Sequence, residues 1–313
     1  MGTKTGIEWC DHTGNIWIGC TKVHEGCDNC YAETYANRQL QNKETIWGHG
    51  HPRQAVASVW DKFKTWNAAA KKDKTIRYVF INSLSDLFEK SAPTIDHKGN
   101  QLTGTTEDLR NRLFTEVIPN SPHLMFLLLT KRPSNINKMI PAAWLEKPPF
   151  NVIFGTSPAN QSTYDNLKAH LLLVKGKRFL SIEPQLSYID VGDLTGIDWV
   201  INGGESAKSK HRPFDPEWAR DIRDKCKAQD IPFFFKQWDK VQTIPKDLQV
   251  REFPNLYNWI PIWDKAQAIW QIPDMIFGGI ANIPNENGFI GYLQGSEYQA
   301  VSQQIIITNE PTV

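Results

Sequence analysis

Six short runs of apolar, β-favouring residues recur along the chain, at Tyr78–Ile81, Leu124–Leu129, Val152–Phe154, Arg178–Ile182, Trp199–Ile201 and Pro232–Phe235. Most intervals between them have room for a helix. Helical patterns fill these and flanking intervals at Val56–Ala70, Thr106–Val117, Gln161–Val174 and Pro216–Ala228, the last with Asp215 as its N-cap. Alternating strand and helix predicts a parallel sheet. A further run, Asn15–Gly19, predicts a first strand that delivers Cys20 to its end. The count is then about seven, one fewer than a closed eight-fold barrel needs. The interval Glu183–Asp198 is also short for a crossover helix. The expected fold is α/β, an irregular or partial TIM-like (β/α) barrel over residues 1–238. A C-terminal extension over 239–313, rich in Pro and aromatics, is expected as a lid over or beside the barrel mouth, as a packing element or as an oligomer contact.

Polar groups close nearly every run. They are Asn82, Ser83, Ser85 and Asp86, then Thr130, Lys131 and Arg132, then Thr156 and Ser157, then Glu183, then Asn202 to Glu205, and last Lys236 and Gln237. Carboxyl ends of parallel strands are where such folds build their sites. Helix capping is the plain alternative for Ser157 and Asp86. Glu183 and Glu205 require partners if they are buried, and Lys131, Arg132 or Lys236 can supply them. Glu205 and Lys236 stand as candidate catalytic groups. Lys236 follows apolar residues on the last run, so it points into or across the barrel mouth, to hold a substrate carboxylate or phosphate or to form a structural ion pair.

Three of the five cysteines fall within eleven residues, in the Gly19–Glu33 stretch G-C-T-K-V-H-E-G-C-D-N-C-Y-A-E, and a helix is expected from Tyr31 onward. An odd, clustered set in a reducing compartment points to metal or catalysis and not to disulfides. Two metal readings stay open. A structural zinc site needs a fourth ligand from His24, Cys10 or His12, none of which belongs to a second pair. An iron-sulfur cluster held by Cys20, Cys27 and Cys30 leaves one iron free for a small molecule.

Lys plus Arg number 35 against 34 Asp plus Glu, a formal charge of +1, so nucleic acid or membrane is not attracted in general. A polyanion has to be met locally. The densest basic loop holds Lys208 and Arg212, which join Lys131 and Arg132 as candidate substrate contacts; solvated surface charge is the alternative. No run of eighteen apolar residues and no apolar leader is present, which predicts a cytoplasmic protein without a membrane partner.

The C-x6-C-x2-C spacing, together with Ile81–Phe88, Leu129–Pro133, Phe179–Pro184, Trp199–Ser206 and Pro232–Trp238, resembles a family of phage and bacterial proteins related to radical S-adenosylmethionine (SAM) enzymes. The resemblance spans about residues 5–238. It implies a barrel of the radical SAM type and a [4Fe-4S] cluster on Cys20, Cys27 and Cys30, with SAM chelated at the free iron. Reduction by an external one-electron donor then yields a 5'-deoxyadenosyl radical. It further implies that Asn82, Ser83, Ser85 and Asp86 meet the SAM amino group, Thr156 and Ser157 its ribose or carboxylate, and Glu183 a ribose hydroxyl. The first cysteine interval is six residues where the wider superfamily commonly has three, and Asn29 stands where an aromatic residue often precedes the last cysteine. Members of the phage-type group occur with DNA-base modification systems. The implied reaction is therefore rearrangement of an amino-acid-like substituent on a modified thymidine in phage DNA, within the host cytoplasm. Radical modification or repair of another base or of a peptide is a second expectation, and a zinc-stabilised nucleic-acid-binding protein without catalysis a third.

Overall fold

The computed structural model describes residues 5–40, 45–206, 211–239 and 241–256, together with the backbone of a strand pair at Asn282–Pro284 and Ile290–Tyr292. The strands of the main body are β1 (His12–Gly14), β2 (Trp17–Ile18), β3 (Arg53–Ala55), β4 (Arg77–Ile81), β5 (Pro93–Ile95), β6 (Gln101–Thr105), β7 (Leu124–Thr130), β8 (Val152–Thr156), β9 (Lys177–Ile182), β10 (Trp199–Gly203) and β11 (Phe233–Gln237). Its helices are α1 (Tyr31–Gln39), α2 (Val59–Lys72), α3 (Thr106–Arg112), α4 (Ile136–Met139), α5 (Ala142–Glu146), α6 (Gln161–Leu172) and α7 (Pro216–Ala228). None of the described helices is long and apolar enough to cross a membrane.

Seven strands form one parallel sheet in the order β1-β4-β7-β8-β9-β10-β11. The fold is mixed α/β. The sheet curls without pairing β1 to β11, so among the described residues it is a partial (β/α) barrel and not a closed one. Side chains alternate between its two faces. Val79, Ile81, Phe126, Leu128, Phe154, Leu180, Phe233 and Phe235 pack outward with helix residues such as Phe63, Leu171 and Ile222. Their sequence neighbours Tyr78, Phe80, Met125, Leu127, Ile153, Phe179 and Phe234 pack inward. Burial on both faces explains why each strand reads as a continuous apolar run.

The first strand differs from expectation. The barrel strand is His12–Gly14, in register with Val79–Ile81, while Trp17–Ile18 turns away to pair antiparallel with β3. β1 carries no apolar run because its outward contacts are made otherwise: His12 stacks on Trp66 at 4.4 Å, and Gly14 lies under the Phe63 ring. Strands β2, β3, β5 and β6 form a small second sheet that was not expected.

Elsewhere the elements follow the sequence closely. Asp215 caps α7 by accepting the Glu217 N–H at 2.9 Å. The predicted helix from Thr106 runs as α3 and then widens into a π turn over Leu113–Val117. No helix joins β9 to β10 among the described residues; Ile189, Val191, Leu194 and Ile197 are buried there in its place.

The foot of the barrel is closed by the chain after β11. Phe235 N–H donates to Val250 O at 3.0 Å and Glu252 N–H to Phe233 O at 3.1 Å, so 250–252 runs antiparallel along the free edge. Phe253 and Leu256 then join the inward aromatic cluster with Trp9, Tyr78 and Trp199. Of the expected C-terminal extension, the described stretch that extends through 256 therefore ends under the barrel and not over its mouth. Most of the remainder lies outside the described residues.

Candidate functional site

A cleft with about 1080 Å³ of empty space, partly open to solvent, lies at the carboxyl ends of the parallel strands. Its walls come from the loop after β2, from the residues that follow β4, β7, β8, β9 and β10, and from the last two residues of β11. Trp9, Phe80 and Leu129 supply apolar lining, with the Trp9 and Phe80 rings 4.8 Å apart.

Cys20, Cys27 and Cys30 all line this cleft, and all are free. Gly19 opens their loop at a φ of +107°, and a Cβ there would stand 2.2 Å from Ile46 O, so only glycine fits. Cys27 ends a 3-10 turn that His24 caps by accepting the Gly26 N–H at 3.1 Å, and Cys30 is the N-cap residue of α1. Burial pushes the Cys20 thiol up, Asp86 and Glu89 add to this, and Arg132 opposes it. Burial, with Lys131 adding, lowers His24 to about 4.

The loop is fastened by three arginines. Arg132 donates to Thr21 O at 2.6 Å, with a second nitrogen 3.9 Å from Cys20 Sγ. Arg53, 2% exposed, donates to Thr21 Oγ1 at 2.9 Å and to Ile46 O at 3.0 Å, and meets Glu89 through both carboxylate oxygens at 2.7 and 3.1 Å. Arg212 donates to Glu25 O at 3.0 Å. Arg53 and Glu89 were not among the expected site residues, since Arg53 opens the three-residue strand β3, Glu89 lies 36 positions further on in a loop, and no motif surrounds either. Their sequence neighbours, Pro52 and Gln54 for Arg53 and Phe88 and Lys90 for Glu89, carry no signal of burial or pairing.

The expected residues divide into those turned inward on the protein and those left with spare capacity. Asp86 accepts from Thr130 Oγ1, Phe88 N, Lys131 N and Arg132 Nη1 at 2.6 to 3.0 Å, which ties the end of β4 to the end of β7. Ser85 donates to Trp17 O, and Ser83 is bonded to Asn15. Thr156 lies behind the cleft wall, donating to Thr130 O at 2.8 Å. Glu205 accepts from Arg212 and from Asn29 Nδ2 at 3.0 Å; burial alone would raise its carboxyl, but the Arg212 and Asn29 hydrogen bonds bring it below the usual range. It therefore braces the cysteine loop. Arg212 is the other half of that brace, and Lys208 lies outside the described residues.

Spare capacity remains at four places. Asn82, at a φ of +58°, accepts the Ile16 N–H through Oδ1, while its buried Nδ2 has no partner among the described residues. Buried Trp9 Nε1 is likewise without a partner among the described residues. Lys131 Nζ donates to Ser157 Oγ at 3.0 Å and has no carboxylate partner among the described residues. Lys236 Nζ stands 2.9 Å from Glu183 Oε1, so of the three expected partners Lys236 is the one that meets this glutamate.

Neither Cys10 nor His12 lines the cleft; Cys10 donates to Ile7 O and His12 faces α2. Apart from the three thiols, the cleft lining contains no cysteine and no histidine among the described residues. Among the described residues, no three His, Cys, Asp or Glu side chains are grouped so as to hold a single metal ion.

Fold and cleft together define an α/β partial-barrel protein with three free thiols at the mouth of a parallel sheet. The family model described as "Protein of unknown function (DUF5131)" matches residues 4–255, and the chain belongs to that family. No curated protein and no solved structure matches the chain.

Proposed function

We propose that this chain is a radical SAM enzyme whose Cys20, Cys27 and Cys30 hold a [4Fe-4S] cluster, with SAM as the second cofactor. One observation carries the reading: three free thiols from one loop line the mouth cleft, and no fourth cysteine or histidine joins them there among the described residues. A zinc ion requires ligands converging within about 2.0 to 2.3 Å of one centre. A cubane takes one protein thiolate per iron, so three cysteines can hold it and leave the fourth iron open. Cys20, Cys27 and Cys30 would hold such a cluster, which would supply one-electron reduction to SAM bound beside it.

The protein's own residues have three tasks in this reading. Arg132, Arg53 and the Glu205–Arg212 brace fix the loop before any cofactor arrives, so little ordering remains to be done on binding. Asn82 Nδ2 and Trp9 Nε1 offer donors to a polar ligand, and Lys131 offers an ammonium group to a carboxylate. The barrel wall and the aromatic lining exclude water and stray hydrogen donors from a reactive centre.

For the reaction we propose isomerisation of an amino-acid-like substituent on a modified thymidine in phage DNA, with an external electron donor. This substrate follows from the resemblance of the motifs. Anaerobic reconstitution tests the class: a brown protein with about four irons that forms 5'-deoxyadenosine from SAM and dithionite supports it. Stoichiometric zinc without SAM cleavage overturns it.

A further inference from the structure

The Glu183–Lys236 pair is built across three strands. Glu183 follows β9, Lys236 lies on β11, and β10 runs between them. Gly203 of β10 makes the crossing possible, because a Cβ there would come within 3.2 Å of Glu183 Oε1. Both residues line the cleft, with side chains only 11% and 17% exposed. Ser181 Oγ holds the second carboxylate oxygen at 3.2 Å. Lys236 Nζ meets no further acceptor among the described residues, and its contact with Glu183 is an ion pair without hydrogen-bond alignment. Each partner thus keeps capacity for a second contact.

We propose that Glu183 and Lys236 together recognise a ligand end that carries an ammonium and a carboxylate on neighbouring atoms and is neutral overall. The ligand carboxylate lies on Lys236, its ammonium lies on Glu183, and the four charges alternate. A half-buried pair strongly selects such a guest. A phosphate or a lone carboxylate on Lys236 sets its charge against Glu183, and a lone amine on Glu183 sets its charge against Lys236. Anions of net charge are better served by Lys131. The inference rests on the proposed function in that it takes this cleft as the substrate site. It adds that the substituent enters with both its amino and its carboxyl group free.

Binding to the full chain without added iron tests this, by saturation-transfer NMR with L-serine, N-acetyl-L-serine and L-serine methyl ester as probes. Serine is expected to bind about ten-fold or more tightly than either singly charged analogue. Lys236→Met should reverse the order in favour of the methyl ester, and Glu183→Gln in favour of N-acetylserine. A pair with a merely structural role cannot produce these opposite reversals. Should a single variant fold poorly, the charge-exchanged Glu183→Lys/Lys236→Glu protein retains a pair and should retain the preference for serine. Equal binding of the three probes, or single variants that weaken all three alike, overturns the inference.

SAM carries the same zwitterionic end, so its affinity is measured in the same variants. A loss of SAM binding by the same factor as serine assigns the pair to SAM and overturns the substrate assignment. The two readings fail separately. Probe preferences without 5'-deoxyadenosine formation sink only the radical chemistry, whereas 5'-deoxyadenosine formation without the preferences sinks only the recognition pair.

Discussion

The two ends of the same seven strands are built from opposite materials. At the foot, Tyr78, Trp199, Phe234 and Phe253 form a dry aromatic cluster, with Trp199 Nε1 donating to Glu252 O at 2.9 Å. At the mouth, the pairs Arg53–Glu89, Arg132–Asp86, Arg212–Glu205 and Lys236–Glu183 surround three thiols. Apolar burial is non-directional and tolerates no charge. Ion pairs are directional, cost desolvation, and repay it mainly in defined geometry. The foot should accordingly govern stability and the mouth chemistry, and substitutions can be chosen to separate the two.

The largest expected effect is at the thiols. Cys20→Ala, Cys27→Ala or Cys30→Ala should each abolish iron retention and SAM cleavage while leaving the unfolding midpoint nearly unchanged. Cys226→Ala, in a fully buried position on α7, should do the reverse, costing some stability and sparing the chemistry. Iron analysis and 5'-deoxyadenosine assays on the same preparations decide this, and an active Cys27→Ala protein would sink the proposed function.

Next is Trp199→Ala at the foot. A wholly buried tryptophan exchanged for alanine leaves a large cavity, and a loss of about 3 to 5 kcal/mol is expected in denaturant unfolding. A loss below about 1 kcal/mol would mean that the segment through Phe253 and Leu256 does not anchor the barrel, and the contrast between the ends would fail.

Arg53 is where the comparison is expected to break. It stands at the mouth, yet Arg53→Met removes the 2.7 Å partner of the buried Glu89 carboxylate, leaving it Arg132 at 3.8 Å, and should cost roughly 3 kcal/mol, a stability effect of the kind assigned to the foot. Because Arg53 also holds Thr21, the cysteine loop should loosen, which faster alkylation of Cys20 would report. Replacing both partners, as Arg53→Met/Glu89→Leu, should recover most of the stability but not the loop order.

How far this division could be read from sequence follows from the range of the interactions. Strands β4, β7, β8, β9, β10 and β11 were legible because burial on both faces writes a continuous apolar run, and polar residues mark where each run reaches the mouth. The Glu183–Lys236 pair was legible for the same reason, as strand order brings their ends near. β1 was not, because a three-residue strand contacts α2 through an imidazole and a glycine. Glu205 drew notice as a buried acid, but its partner Arg212 is fixed by a loop conformation that no periodicity encodes. Arg53 and Glu89 meet through the small β2-β3-β5-β6 sheet, whose strands are too short to carry a pattern.

The smallest expected effect sharpens the mouth itself. Glu205 has its carboxyl held below the usual range, so the unfolded chain takes up its proton at a higher pH than the folded one. Stability from the Glu205 brace is therefore complete above the unfolded value of about 4.3 and is lost as pH falls through the folded value. Glu205→Gln should flatten this acid limb and lower stability above it by about the height of the limb, since the amide oxygen still accepts from Arg212 but carries no charge. Denaturant midpoints between about pH 3 and 6 measure this limb. If Glu205→Gln retains the full acid slope, the brace contributes nothing to it, and the loop is held by Arg53 and Arg132 alone.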